Sequence, residues 1–319
     1  MFQTAFKFYK SRNPPPSFEN VLLIGSDHPN LKTVQLVHDD IKCFTGLQSP
    51  KEWKVYELVT RPGLLVVANP FTAEAQRHWM MRSLTDYPTH PNTTNQSSAS
   101  QLIQEVGCSW WEMMQTIANP DERRKFAKSL RWATLGYQYD WTNKVYDEAR
   151  REAFPSDLGA LVRYVAAVLG YDRFSPEAAI VNYYPTGATL AGHTDHSEDD
   201  QTAPLFSFSF GQPAVFLIGG TSREEQPDAI LLRSGDIVVM TGASRLCYHA
   251  VPRICTDAEL PQEMRNSAAR WEVGNLAPQR DEVLWDGGIQ QYIQYSRINI
   301  NVRQVLRENQ QTLARPELG

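Results

Sequence analysis

What the 319-residue chain lacks narrows its class first. Its four cysteines (Cys43, Cys108, Cys247, Cys255) are scattered and form no Cys-x-x-Cys pair. That usage argues against a disulfide framework or a thiolate zinc knuckle and fits the reduced thiols of an intracellular protein. No apolar run approaches the roughly 20 residues that cross a bilayer as a helix. A membrane partner is therefore not expected, nor is a secretory signal. An excess of basic charge is also missing: the net charge is −5 and the pI about 5.8. Any nucleic-acid partner would have to be met by a local patch. There is no internal repeat and no low-complexity tract. What is present, 42% hydrophobic, 11% aromatic and 21% charged residues, is ordinary globular composition. The length allows one large domain or two small ones.

The segment Phe2–Arg12 is basic and aromatic, with no acid before Glu19. It fits a mitochondrial presequence or, the reading adopted here, a short amphipathic helix packed on the body and stopped at Pro14–Pro16. From 20 to 62 the pattern is mixed and predicts no nameable chemistry. Gly63–Phe71 reads as a buried strand, and Thr72 as the N-cap of a helix to about Leu84. Residues 87–99 read as a loop and 101–117 as a helix containing Trp110 and Trp111. Another helix is expected to start near Asn119-Pro120. Its Arg123, Arg124, Lys125, Lys128 and Arg131 make the densest basic patch. The strand that follows, 132–141, places Tyr137, Tyr139 and Trp141 on one face. A basic helix beside an aromatic strand suits phosphate neutralisation and base stacking. Taken alone, the segment reads more plainly as a solvated helix face and a half-buried aromatic ladder. Pro155–Gly170 is the clearest helix, with Ser156 as N-cap, Gly170 as its stop and a sheet as its packing partner.

After 178 the period changes from helical to alternating. Short strands are predicted at 178–184, 205–210, 214–218, 229–232, 236–240, 246–250 and 295–302, most of them separated by Gly or Pro turns. A polar insertion from Asp257 to about Gly288 interrupts them. Such a series predicts a sandwich or jelly roll.

Within it, Leu190–Ser197 carries His193 and Asp195 two residues apart, on one face of an extended chain. An imidazole and a carboxylate so placed are two corners of a 2-His-1-carboxylate metal site. A solvated loop with a stray histidine is the plainer alternative. His249, on a late strand that a jelly roll would bring across the barrel, supplies a third ligand. His196 follows Asp195 directly and points the other way. In the closing strand Arg297, Asn299, Asn301 and Arg303 share one face, and Ile298, Ile300 and Val302 share the other. A strand with one apolar and one Arg/Asn face makes sense lining a cavity for a small dianion, because guanidinium groups grip carboxylates in a fixed fork. Asn182 and Tyr184 share a face and could add neutral donors.

His-x-Asp, a distant His, Arg-x-Asn-x-x-x-Arg in the closing strand, Asn-x-Tyr before the first ligand and Leu205–Gly211 together resemble the AlkB family of Fe(II)- and 2-oxoglutarate-dependent dioxygenases. An animal branch matches further at 154–159, 207–212, 234–237, 249–253 and 302–305. The resemblance covers about 55–308 and implies an α+β fold: a double-stranded β-helix (jelly roll) with N-terminal helices packed on the sheet. It divides the chain into an extension (1–60), a substrate-recognition region (61–176), a catalytic core (177–305) and a tail (306–319). It implies Fe(II), 2-oxoglutarate and O2 as cofactors. His193, Asp195 and His249 would be the metal ligands and catalytic residues. Arg297, with Tyr184 and Asn182, would hold the distal carboxylate, and Arg303 and Asn299 the end near the metal. It implies oxidative demethylation of a methylated base in tRNA or in single-stranded or unpaired DNA, with Trp111, Tyr137, Gln138, Tyr139 and Asp140 at the substrate. Arg123, Arg124 and Lys125 would be candidates for phosphate contacts. The expected protein is a monomer in the mitochondrion, nucleus or cytoplasm. Two competing readings are an oxygenase acting on protein, such as histone tails, and a non-catalytic jelly-roll binding module. A zinc hydrolase would leave the arginine strand unexplained.

Overall fold

A computed structural model describes residues 1–96, 109–265 and 285–313. Two sheets face one another. The smaller is ordered β1-β12-β11-β14-β9, built from Val21–Leu23 (β1), Asp228–Leu232 (β12), Ala214–Ile218 (β11), His249–Ile254 (β14) and Leu190–His193 (β9). The larger is ordered β2-β3-β4-β13-β10-β15-β8-β6-β5. Its strands are Leu31–Thr33 (β2), Lys54–Leu58 (β3), Leu64–Ala68 (β4), Ile237–Met240 (β13), Leu205–Gly211 (β10), Ser296–Arg303 (β15), Ala178–Pro185 (β8), Trp132–Asp140 (β6) and Thr93–Thr94 (β5). Val145–Arg151 (β7) forms a hairpin with β6. From β8 to β15 the chain crosses from one sheet to the other at every connection except β11–β12, which pair with each other within the smaller sheet, as in a double-stranded β-helix.

Side-chain alternation builds the layers. Along β10, Phe206, Phe208 and Phe210 enter the outer core, whereas Ser207 and Ser209 face inward to Asn299 and Arg297. On β11, Ala214, Phe216 and Ile218 join the core between the sheets, and Val215 and Leu217 face the opposite side. The outer face of the large sheet is covered by Ala73–Thr85 (α2) and Ser156–Val168 (α5), through Trp79, Met80, Leu84, Leu158, Leu161 and Val165. Trp110–Thr116 (α3) adds Trp110 and Trp111 to that core. Thr72 accepts the Ala75 amide as the expected N-cap of α2. The charged helix Pro120–Ala127 (α4) is capped by Asn119 and buries none of its side chains.

Several boundaries differ from expectation. Ser156 is the first residue of α5 and Pro155 holds the cap position, so the cap has no side-chain acceptor. The strand expected at 246–250 runs from His249 to Ile254, because Gly242–Ser244 forms a 3-10 turn that delays it. The short strands before residue 60 escaped notice because β1 and β2 are three-residue sheet edges and β3, next to the edge, has irregular burial. Of the helix expected at 101–117, residues 101–108 lie outside the described residues, as does most of the 257–288 insertion.

The outer face of the small sheet is closed by Phe2–Lys10 (α1), which buries Phe2, Ala5, Phe6 and Tyr9. Phe2 sits against Gly192 and Gly219: a Cβ on either glycine would lie 2.8 Å from its ring. The packed amphipathic helix is therefore what these residues form here. Among the described residues no helix is long and apolar enough to cross a membrane. Since Phe2 is 2% exposed, Phe2→Ala should cost about 3 kcal/mol, the scale of a buried Phe-to-Ala truncation. Denaturant unfolding measures this, and an unchanged midpoint would show that α1 adds nothing to the fold.

Candidate metal and 2-oxoglutarate site

Strand pairing assembles the metal ligands. His193, the last residue of β9, is the direct partner of His249, the first of β14. The two histidines are thus neighbours in one sheet, where the spacing had suggested opposite walls of the barrel. Their ring centroids are 4.3 Å apart. Asp195 lies just past the end of β9, with its oxygens 3.9 Å from His193 Nε2 and 3.7 Å from His249 Nε2. One ligand atom from each of the three residues falls within 4.8 Å of the others. Each imidazole Nδ1 lies by a backbone carbonyl two residues earlier, at 3.0 Å (Ala191) and 3.1 Å (Cys247). Donation there leaves Nε2 with its lone pair turned toward the shared centre.

Burial would raise the Asp195 carboxyl, but Arg303, His249 and His193 override it and hold the group well below the usual carboxylate range. Burial, reinforced by His193, pushes His249 down to about 4. Both ligands are therefore deprotonated near neutral pH, the state metal binding needs.

On the inward face of β15, Arg297 is 2% exposed. Its Nη2 donates to Ser209 Oγ at 2.9 Å, while Nε and Nη1 have no partner. Burial lowers its pKa to about 10, which leaves it charged. Tyr184, its cross-strand neighbour, also has a buried, unpartnered hydroxyl, and burial pushes that group up to about 12, so it stays a donor. Orphaned buried donors are costly, and Tyr184 interacts electrostatically with both Arg297 and the ligand Asp195. Asn182 and Asn299 are cross-strand partners in the adjacent register. The Asn299 amide nitrogen is engaged by Ser207 Oγ and the Phe208 carbonyl, both at 2.9 Å.

Arg303 has a more complex task than sequence suggested. Nη2 donates to Asp195 at 2.9 Å and Nε pairs with Glu198 at 3.1 Å, leaving Nη1 without a partner. Glu198 also accepts from Tyr146 at 3.0 Å and from Arg245 at 3.1 Å. Arg245 in turn donates to the Asp195 carbonyl at 2.7 Å. Neither Glu198 nor Arg245 was read from the sequence. The available signal was position: one follows Asp195 by three residues and the other precedes His249 by four.

The five expected substrate residues separate. Tyr139 lines a pocket of about 420 Å³ above His193 and Asp195, its hydroxyl 3.0 Å from Ser197 Oγ. Tyr137 is buried against Tyr146, Val305 and Leu306 and donates to Glu148. Gln138 is also buried, its amide bonded to Thr93, Thr134 and Gly136. Asp140 caps the turn at Thr142 and Asn143. Trp111 packs on Tyr292 in the outer core. Gly136 is where β6 changes course: at φ +71° it precedes a register shift, and a Cβ there would lie 2.1 Å from the Glu177 carbonyl. Such a bulge re-aims the strand beyond it. Of the basic residues expected at phosphate, Arg123 spends its Nε on the Ile117 carbonyl, whereas Arg124 and Lys125 are exposed.

The 2OG-Fe(II) oxygenase superfamily model matches residues 63–303. The chain belongs to this superfamily, in its AlkB branch. The nucleic acid dioxygenase ALKBH1 of Mus musculus is 34% identical, over 97% of this chain and 85% of its own length. The tRNA demethylase abh1 of Schizosaccharomyces pombe is 38% identical over 79% and 82%. The DNA N(6)-methyladenine demethylase ALKBH1A of Arabidopsis thaliana is 35% identical over 79% and 77%. The solved structure of OsALKBH1 aligns with a TM-score of 0.49 at 19% identity, covering 76% of this chain and 97% of that one. The residues present fit the superfamily's Fe(II) and 2-oxoglutarate: three convergent ligands, and on the inward face of β15 a buried cation with two unpartnered guanidinium nitrogens.

Two outcomes follow from this geometry. Glu198→Gln leaves two buried guanidinium groups undercompensated and should cost about 3–5 kcal/mol. Glu308→Gln, which breaks an exposed bridge to Arg173, should cost within about 1 kcal/mol. Paired thermal melts check the contrast. His249 has its folded pKa depressed below the unfolded value of about 6.5, so the unfolded chain binds more protons between these limits. Its contribution is complete above pH 6.5 and is lost as pH falls toward about 4. Denaturation of the metal-free protein should follow that slope, and His249→Gln should flatten it.

Proposed function

We propose that this Fe(II)- and 2-oxoglutarate-dependent dioxygenase oxidatively demethylates methylated bases in nucleic acid. The candidate substrates are methyladenine or methylcytosine in tRNA and N6-methyladenine in unpaired DNA. The observation that carries the enzymatic part is the Arg297 guanidinium, buried with Nε and Nη1 unpartnered and paired across the sheet with Tyr184, which interacts electrostatically with both Arg297 and the ligand Asp195. The relatives named above, which act on nucleic acid, tRNA and DNA, support the substrate class. The expected monomer and intracellular location belong to the same proposal.

His193, Asp195 and His249 would hold Fe(II), and Arg297 with Tyr184 would take the distal carboxylate of 2-oxoglutarate. Bound there, the metal and co-substrate supply oxidation of a methyl C–H by O2, with 2-oxoglutarate leaving as succinate and carbon dioxide. On a base nitrogen the hydroxymethyl product breaks down to formaldehyde. The chain's own work is positioning. Arg303 fixes the orientation of Asp195 while Glu198 balances its charge. Tyr139 borders the pocket where a base would enter, and the apolar core between the sheets excludes water behind the clamp.

The decisive assay is anaerobic binding of Fe(II) and 2-oxoglutarate, then succinate release with methylated tRNA, methylated single-stranded DNA and methylated peptide. Succinate coupled to either nucleic acid is expected. None with any substrate despite bound iron would end the oxygenase reading, and release with peptide alone would end the nucleic-acid one. His193→Ala should abolish turnover, and Tyr139→Ala should mainly raise KM for the substrate. Arg297→Ala should weaken 2-oxoglutarate about 10- to 100-fold, the worth of losing charge-assisted bonds.

A further inference from the structure

At the rim of the pocket, the β6–β7 hairpin carries aromatic surface that the chemistry leaves unused. Trp141 is 44% exposed, a large exposure for a tryptophan. Its ring centroid lies 4.9 Å from Tyr139 and 5.2 Å from Trp132. Trp132 is half-buried, and its place follows from register. It pairs with Asn182, which pairs with Asn299, so it shares the inward face of the sheet. Ala133 and Leu135, its alternating neighbours, face the outer core. An aromatic wall therefore runs from the pocket lining at Tyr139, through Trp141 at the mouth, to Trp132.

The charge along this wall selects one kind of occupant. Arg131, immediately before Trp132, is exposed, and Lys144 lines the same pocket as Trp141. Across the mouth, Arg223 stacks over the Tyr248 ring at 5.0 Å. The nearest acid on the hairpin, Asp140, has its carboxylate occupied by the turn that it caps. Flat π faces with cations around them match a base and its phosphates.

We propose that Trp141, backed by Trp132, is a stacking platform for the unpaired nucleotide adjacent to the one that enters the pocket. The enzyme would then grip at least two consecutive bases of a single strand, DNA or RNA: one inside over the metal ligands and one outside on the indole. A base held in duplex keeps its own neighbours and cannot present a free face to Trp141, so a paired flank loses this contact. The proposal rests on the nucleic-acid reading above and adds to it a second base position, at the exposed rim of the same pocket.

A double-mutant cycle tests it. The probe is a labelled seven-nucleotide strand with a central N1-methyladenine, in DNA and RNA versions, titrated by anisotropy against Mn(II)-loaded protein without oxygen. Three partner probes replace the 5′ neighbour with an abasic site, replace the 3′ neighbour likewise, or anneal the strand to its complement. Trp141→Ala should weaken binding of the intact strand about 5- to 150-fold, the range of one base–aromatic stack. One abasic probe should lose a similar factor with wild-type protein and nothing further with Trp141→Ala. Trp141→Phe should restore most of the affinity, which separates stacking from misfolding. On the methylated nucleoside monophosphate, the loss from Trp141→Ala should be at least about five-fold smaller than on the strand. Fully additive losses, or wild-type affinity in Trp141→Ala, would overturn the platform while leaving the demethylase reading intact. Failure of wild-type protein to bind or oxidise any methylated strand would overturn both.

Discussion

Everything at the reaction centre depends on how one buried guanidinium is shared. Arg303 lies between Asp195 and Glu198, and both carboxylates are themselves buried or nearly so. A single carboxylate placed among two imidazoles in a dry cavity would incur a large desolvation cost and tend to protonate. Arg303 reverses that, and Glu198 with Arg245 keeps the arrangement near balance. Asp195 is consequently fixed at both its side chain and its backbone, the first by Arg303 and the second by Arg245. It needs both ties because β9 has already ended at His193 and no ladder bond holds it.

The same arginine explains why β15 occupies the middle of the large sheet. A strand with Arg297, Asn299 and Arg303 on one face has to put that face where polar partners exist. Its other face, Ile298, Ile300 and Val302, joins the core beneath the helices. Flanking strands complete the match: β10 offers serines inward and phenylalanines outward, and β8 offers Asn182 and Tyr184 inward. Arg297 differs from Arg303 in one decisive respect. Among the described residues no carboxylate pairs with it, so its charge is available to an anion. The two arginines, six residues apart on one face, thus divide into one that orders the ligand set and one that awaits a co-substrate.

Much of this was legible in the sequence because alternation is a strict code. The His-x-Asp pair, the two-faced closing strand and the Asn-x-Tyr of β8 all follow from a period of two. The unread parts depended on partners distant in the chain. That His249 sits beside His193 is a matter of strand order, which spacing along the chain does not encode. Glu198 and Arg245 look like ordinary surface charges until the fold buries them together. Tyr137 and Tyr139 look equivalent two residues apart, yet Gly136 bends β6 where it leaves β8. One tyrosine is then covered by Val305 and Leu306, while the other opens onto the pocket. Trp111 was drawn from resemblance in a stretch that is loosely matched, and its indole serves the outer core.

The bend at Gly136 also joins the entrance to the metal centre. Past it, the hairpin returns through β7, and the Tyr146 hydroxyl donates to the same Glu198 that Arg303 uses. From the facing strand, Tyr139 contacts Ser197, the residue next to Glu198. The wall along which a substrate would approach is therefore bonded to the loop that carries Asp195, through two adjacent residues. A rigid entrance of this kind suits a reaction in which the oxidisable methyl must be held against a fixed point. Aim, set by the hairpin, and ligand orientation, set by Arg303, become properties of one hydrogen-bonded unit. A rotation of the hairpin would act on Glu198 first, and through Arg303 on the carboxylate of Asp195.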